Sequence, residues 1–163
     1  MILDCSDRMT LLSRLRKVMT IFPILTLALN VLWFGLGFRL FAMRPRQAVR
    51  LLVGPEHRDE TSREALVTAL PFLGGMNLAF AVLSAVYLWM RLADGSAIPW
   101  TTFLTSAIAH ATQFGGNVPL ALRGGRTSGA PWDVLQGPMR VIFVGDAVCA
   151  LANAACLLPP LHT

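Results

Sequence analysis

Residues Ala65 to Leu92 read ALVTALPFLGGMNLAFAVLSAVYLWMRL, with no charged side chain before Arg91. A helix needs about 20 such residues to cross about 30 Å of hydrocarbon. Three further stretches have the same character: Val18–Met43, Ile98–Leu122 and Met139–Leu158. Together the four take up most of a chain of 163 residues, so little is left for a water-soluble domain. The expected fold is an all-α integral membrane protein, an antiparallel four-helix transmembrane bundle forming one domain over residues 1–163.

Composition agrees. Apolar residues make up 55% of the chain and charged ones 14%. Ordinary globular domains are about a quarter charged. The formal charge of +5 does not point to nucleic acid. Arginines that flank spans set orientation and meet anionic headgroups. All basic residues but Lys17 are Arg and Ala is abundant, a usage expected of a bacterial cytoplasmic membrane protein. Arg14, Arg16 and Lys17 ahead of Val18–Phe34 resemble a signal peptide. The long apolar run, with no small-x-small site after it, reads instead as a retained helix.

The loops alternate in length. In Arg44–Glu64, the segment Arg44–Val53 is amphipathic and is followed by Gly54-Pro55. It predicts a short helix in the headgroup layer, its arginines toward phosphates. Ala93–Ala97 is a tight turn around Asp94-Gly95, and Arg123–Gly137 is an irregular hairpin rich in Gly and Pro. The side holding both termini carries Arg8, Arg14, Arg16, Lys17 and Arg91. The opposite side carries Arg39, Arg44, Arg46, Arg50, Arg58, Arg63, Arg123, Arg126 and Arg140. The larger cluster places loops 44–64 and 123–137 in the cytoplasm, although the basic group before the first span pulls the other way. Trp89 and Trp100 bracket the tight turn as interface anchors; Trp33, inside the first span, fits no such belt.

Small-residue pairs suggest close packing: Ala81/Ala85, Ala107/Ala111 and Ala150/Ala154, with Gly35/Gly37 and Gly74-Gly75 as further approach points. Pro71 is expected to be tolerated early in the second span and to kink it. Gly115-Gly116-Asn117-Val118-Pro119 is expected to unwind the third, next to a cavity that satisfies the freed backbone.

The polar residues inside the spans carry the functional question, because such groups face the bundle interior or a wet cavity. At about 1.5 Å per residue, Asn30, Asn77 and His110 fall ~18 Å from the arginine-rich side and Asn153 ~21 Å. Gln113 (~13 Å), Asp146 (~10 Å), Asn117 (~7 Å) and Arg39 (~4 Å) form a second layer. His110, Gln113 and Asn117 share a helix face. Asn30, Asn77, His110, Gln113, Asn117 and Asn153 are therefore candidate ligand-binding residues, for a lipid, quinone, sterol or pigment. The reading placed ahead of that one is structural, with these groups hydrogen-bonding between helices and setting their register. His110 and Asp146 are candidate acid/base residues or a proton-handling pair, ~8 Å apart in depth and so joined through Gln113, Asn117 or water. Asp146 needs compensation, which Arg39 would supply as an ion pair, or Asn117 to a protonated carboxyl.

Absent motifs narrow the classes. The chain has no HExxH, CxxC or P-loop pattern, and His110 is the one histidine inside a span. No metal site or cofactor is expected. Cys149 and Cys156 stand two turns apart on one helix, too far for a disulfide, and read with Cys5 as small apolar side chains. The four-span layout, with Trp100 ahead of His110, resembles small scaffold proteins that gather membrane-bound sterol enzymes. That likeness covers one helix and the topology and assigns no residue a role. The reading best matched to small size and missing catalytic motifs is a non-catalytic accessory or scaffolding subunit of a larger membrane complex. Its partners would be lipids and other membrane subunits or further copies of itself. A small oligomeric transporter or hydrophobic-ligand carrier is the alternative, and a membrane enzyme acting on a lipid-soluble substrate the third.

Overall fold

The computed structural model describes residues 5–54, 59–124 and 132–158, with side chains from Thr20 onward. Cys5, Arg8, Arg14, Arg16, Lys17, His57, Arg58, Arg126 and His162 lie outside the described side chains. The described residues form five helices and no strand: α1 (Cys5–Phe41), α2 (Pro45–Leu52), α3 (Glu60–Asp94), α4 (Trp100–Leu122) and α5 (Gly137–Ala155). Three segments are long and apolar enough to cross a membrane: Thr20–Phe41 of α1, α3 and α5. The expected third span, α4, has the length but not the hydropathy. Along its 23 residues it carries Thr101, Thr102, Thr105, Ser106, His110, Thr112, Gln113 and Asn117.

The burial pattern is that of a protein turned inside out. Thr26, Asn30, Asn77, Ser84, Thr102, Ser106, His110, Asp146 and Asn153 are buried. Leu25, Leu32, Phe72, Leu151 and many other large apolar side chains face outward. Water-soluble folds place these groups the other way round.

α1 packs along α3, and α4 along α5. On the first pair, Phe34 stacks on Phe80, Gly37 lies against Asn77, and Ala42 meets Gly74, so one index rises as the other falls. Three glycines make the close approaches. A Cβ on Gly37 would crowd the Asn77 amide, one on Gly74 the backbone of Ala42, and one on Gly145 the Trp33 indole. Gly35 and Gly75 border open space. The alanine pairs are not seams of this bundle, because Ala85, Ala111 and Ala154 face outward.

α2 matches its amphipathic reading. Ala48 and Val49 are buried against the bundle while Arg46 and Arg50 stay exposed. Leu27, Ile98, Phe103 and Cys156 form an apolar plug beneath the α3–α4 turn, with Phe22, Tyr87 and Leu88 packed around it. Trp89 and Trp100 flank that turn and are exposed. Gly95 closes α3 at φ 75°, where a residue with a Cβ is disfavoured.

The expected break at Gly115–Pro119 does not occur; α4 runs unbroken to Leu122. Pro119 lies in the last turn, where its fixed φ suits a helix and it forfeits a single backbone bond. Nearby, Asn117 Nδ2 donates to the Gln113 carbonyl and Asn117 Oδ1 accepts from the Trp132 indole. Pro71 is likewise held inside continuous α3.

α3 opens on Asp59, whose carboxylate accepts from the Ser62 backbone N–H at 2.9 Å. That bond holds the Asp59 carboxyl below its ordinary value of 3.8. With the folded value depressed, the cap's contribution is complete above the unfolded value and is lost as pH falls through the folded one. Acidification below 3.8 is therefore expected to fray the first turn of α3, seen as an upfield move of the Ser62 amide proton. Asp59→Asn should keep the cap and abolish that pH dependence. An unchanged titration in the variant would place its origin elsewhere.

Candidate functional site

The site grows from one α1 side chain on each side of Phe34. The Phe34 ring is 1% exposed and is sandwiched between Phe80 (centroids 5.0 Å) and the His110 imidazole (4.4 Å, planes 19° apart). It therefore ties α3, α1 and α4 together and fixes the plane of the imidazole. On the α5 side, Trp33 Nε1–H donates to Asp146 Oδ1 at 2.9 Å, and His110 Nδ1 lies 3.1 Å from the same oxygen. For an ionised Asp146, which can only accept, the proton of that second contact is on Nδ1. His110 and Asp146 are 0% and 1% exposed.

This arrangement corrects two expectations. Arg39 is exposed and makes no ion pair among the described residues. Asp146 is compensated by His110 and Trp33, and Asn117 is engaged with Trp132 instead. The ~8 Å of depth expected between His110 and Asp146 also vanishes, since they touch. Phe114 stacks on Phe143 one turn away, so at the arginine-rich side α4 has slid about three residues, ~4.5 Å, past the start of α5. Depths counted from span ends cannot register such a slide.

The structure also joins Asn30 and Asn153. Their side-chain amides exchange two hydrogen bonds, 2.8 and 2.9 Å, and Asn153 Nδ2 reaches the Cys149 carbonyl as well. Both are fully buried, so this pair is an inter-helix clamp and not part of a cleft wall. One turn beyond, the Cys156 thiol lies 3.5 Å from Thr26 Oγ1. Cys149 and Cys156 are free and buried.

Asn77 and Gln113 line a different space. A cleft of about 510 Å³ lies between α1, α3, α4 and the start of α5, walled by Trp33, Leu36, Asn77, Gln113, Pro138 and Val141 among others. Leu36 and Val141 are exposed and mark its mouth between α1 and α5. Asn77 Nδ2 donates to the Leu73 carbonyl. Asn77 Oδ1 and the whole Gln113 side-chain amide have no hydrogen-bond partner among the described residues. Among the described residues, no charged side chain lines the cleft.

Among the described residues, four buried polar atoms lack partners: Ser84 Oγ, Ser106 Oγ, His110 Nε2 and Asp146 Oδ2. Such atoms in an apolar interior are costly and mark places where another group belongs. Trp33 was missed as a site residue. The available signal was a tryptophan inside a span, away from either interface, whose N–H must find an acceptor when buried. Among the described residues, no three His, Cys, Asp or Glu side chains gather as a metal site would need. No family model matches the chain, and neither does any curated protein or solved structure.

Proposed function

We propose that this is an integral membrane protein of four antiparallel spans that binds an uncharged hydrophobic ligand, of the lipid, quinone, sterol or pigment type, in the cleft beside Trp33. The cleft is the observation that carries the reading. Its volume of about 510 Å³ falls in the ordinary range for small-molecule sites. Its wall is apolar, with two side-chain amides having hydrogen-bonding capacity to spare, and its mouth opens between two lipid-facing residues.

α4 completes the bundle in this reading despite its polarity. Thr102, Ser106 and His110 point inward. On the outer face, Thr105 donates to the Thr101 carbonyl and Thr112 to the Ala109 carbonyl. A hydroxyl bonded to its own helix is tolerable in hydrocarbon, while a hydropathy index counts it as polar regardless. The loops 44–64 and 123–137 face the cytoplasm of a bacterial cell, following the larger arginine count, and α2 rests in the headgroup layer with its arginines outward.

A second reading, an accessory or scaffolding subunit, is favoured by the outer face of α3. Gly75, Leu78, Ala79, Val82, Val86 and Tyr87 line a shallow groove there, at the spacing of a helix-packing seam.

Purification in mild detergent, followed by mass spectrometry of every bound molecule and protein, separates the two. The ligand reading expects a neutral lipophilic compound near one per chain in the wild type. Gln113→Leu removes a hydrogen-bonding group from the wall and should lower its retention roughly three- to tenfold. Full retention in that variant, or an empty wild type, would overturn the cleft as the site. A protein partner recovered in place of a small molecule would favour the subunit reading.

A further inference from the structure

We infer that the Trp33 indole N–H holds the place of a ligand hydroxyl on Asp146, so that the ligand is an uncharged lipid alcohol whose O–H takes over that bond when the indole turns aside. The inference rests on the cleft being a ligand site. Trp33 belongs to two environments at once. Its ring is part of the cleft wall, and its Nε1–H donates to Asp146 Oδ1 at 2.9 Å. The indole is thus the partition between the cleft and the buried His110–Asp146 pair. Gly145, next to Asp146, makes the partition possible, because any Cβ there would overlap the indole.

The far side of the partition has polar capacity that the protein leaves unused. Asp146 Oδ2 and His110 Nε2 are buried without partners. A group arriving there must bring a donor, because a carboxylate only accepts. It must also be uncharged. A carboxylate or phosphate would be repelled by Asp146. An ammonium would have to give up its hydration for a buried carboxyl that already accepts from both Trp33 and His110. An O–H satisfies both conditions, and its oxygen can still accept from the Gln113 side-chain amide, which has no hydrogen-bond partner among the described residues. The tail would leave between Leu36 and Val141, both outward-facing.

The test follows His110 Nε2 with diethyl pyrocarbonate on the full chain in phosphatidylcholine nanodiscs, read by peptide mass spectrometry. In the wild type His110 should react slowly. In Trp33→Ala, and independently in Gly145→Ala, where the new methyl displaces the indole, His110 should react at least tenfold faster. Circular dichroism and a monodisperse elution profile establish that each variant is folded. If His110 stays closed in both folded variants, Trp33 is not the partition and the inference fails while the cleft reading stands. Dioleoylglycerol should then slow His110 modification in Trp33→Ala, whereas trioleoylglycerol, with no O–H, should not. Equal protection by both overturns the hydroxyl exchange but keeps the cleft as a site. Protection by neither, with His110 open, overturns the inference and the ligand reading together.

Discussion

His110→Phe is expected to destabilise the protein by about 3–5 kcal/mol, the usual cost of leaving one member of a buried pair alone. The substitution keeps an aromatic ring against Phe34, so the three-ring stack across α3, α1 and α4 survives. What it removes is the N–H opposite Asp146 Oδ1, leaving Trp33 as that carboxylate's single donor. Asp146→Leu should cost a similar amount, because the Trp33 N–H and the His110 ring both lose their Asp146 partner. The double variant should be more stable than either single one, since two apolar side chains need no compensation. Reversible unfolding in mixed micelles titrated with sodium dodecyl sulfate gives all four corners of the cycle. Additive losses would mean that the two side chains act independently, contrary to their 3.1 Å contact.

Gly74→Ala and Gly75→Ala are expected to have opposite signs although the two positions are adjacent. At Gly74 the new methyl would lie 2.5 Å from the Ala42 nitrogen and 2.9 Å from its Cα. Those are backbone atoms just past the end of α1 and cannot rotate away, so the contact with α3 must open, at a cost of about 1–3 kcal/mol. At Gly75 nothing lies within 4 Å. There alanine only restricts the unfolded backbone and favours the helix, a gain of up to about 1 kcal/mol. The same detergent titration measures both. A destabilised Gly75→Ala together with a neutral Gly74→Ala would mean that α3 turns its other face to α1.

Much of the site was visible in the one-dimensional pattern, and the reasons for the rest are physical. Asn30, Asn77, His110, Asp146 and Asn153 were expected to face inward because hydrocarbon tolerates polar groups poorly, and all five are buried. Which of them touch was not legible. Asn30 meets Asn153 while Asn77 is turned toward the cleft, a division that depends on the rotation of each helix about its axis. Arg39 was a reasonable counter-ion by charge alone, yet it sits at the outer surface of α1, and Asp146 meets an imidazole brought within reach by the slide of α4 along α5. Charge complementarity names possible partners, and helix register selects among them.

The sequence by itself determined an all-helical chain with helix-length apolar stretches, their polar residues turned inward. It did so because backbone hydrogen bonding and the cost of polar groups in hydrocarbon act residue by residue. It also marked α2, through the alternation of arginines and apolar side chains over one short segment. Only the tertiary structure decided that α4 runs unbroken through Pro119, that Gly37, Gly74 and Gly145 carry close contacts, and that Trp33 both lines a cleft and donates to Asp146. Each of these depends on the axial shift and rotation of one helix against another. Those two quantities are set by the summed packing of many side chains and are written in no single stretch of the chain.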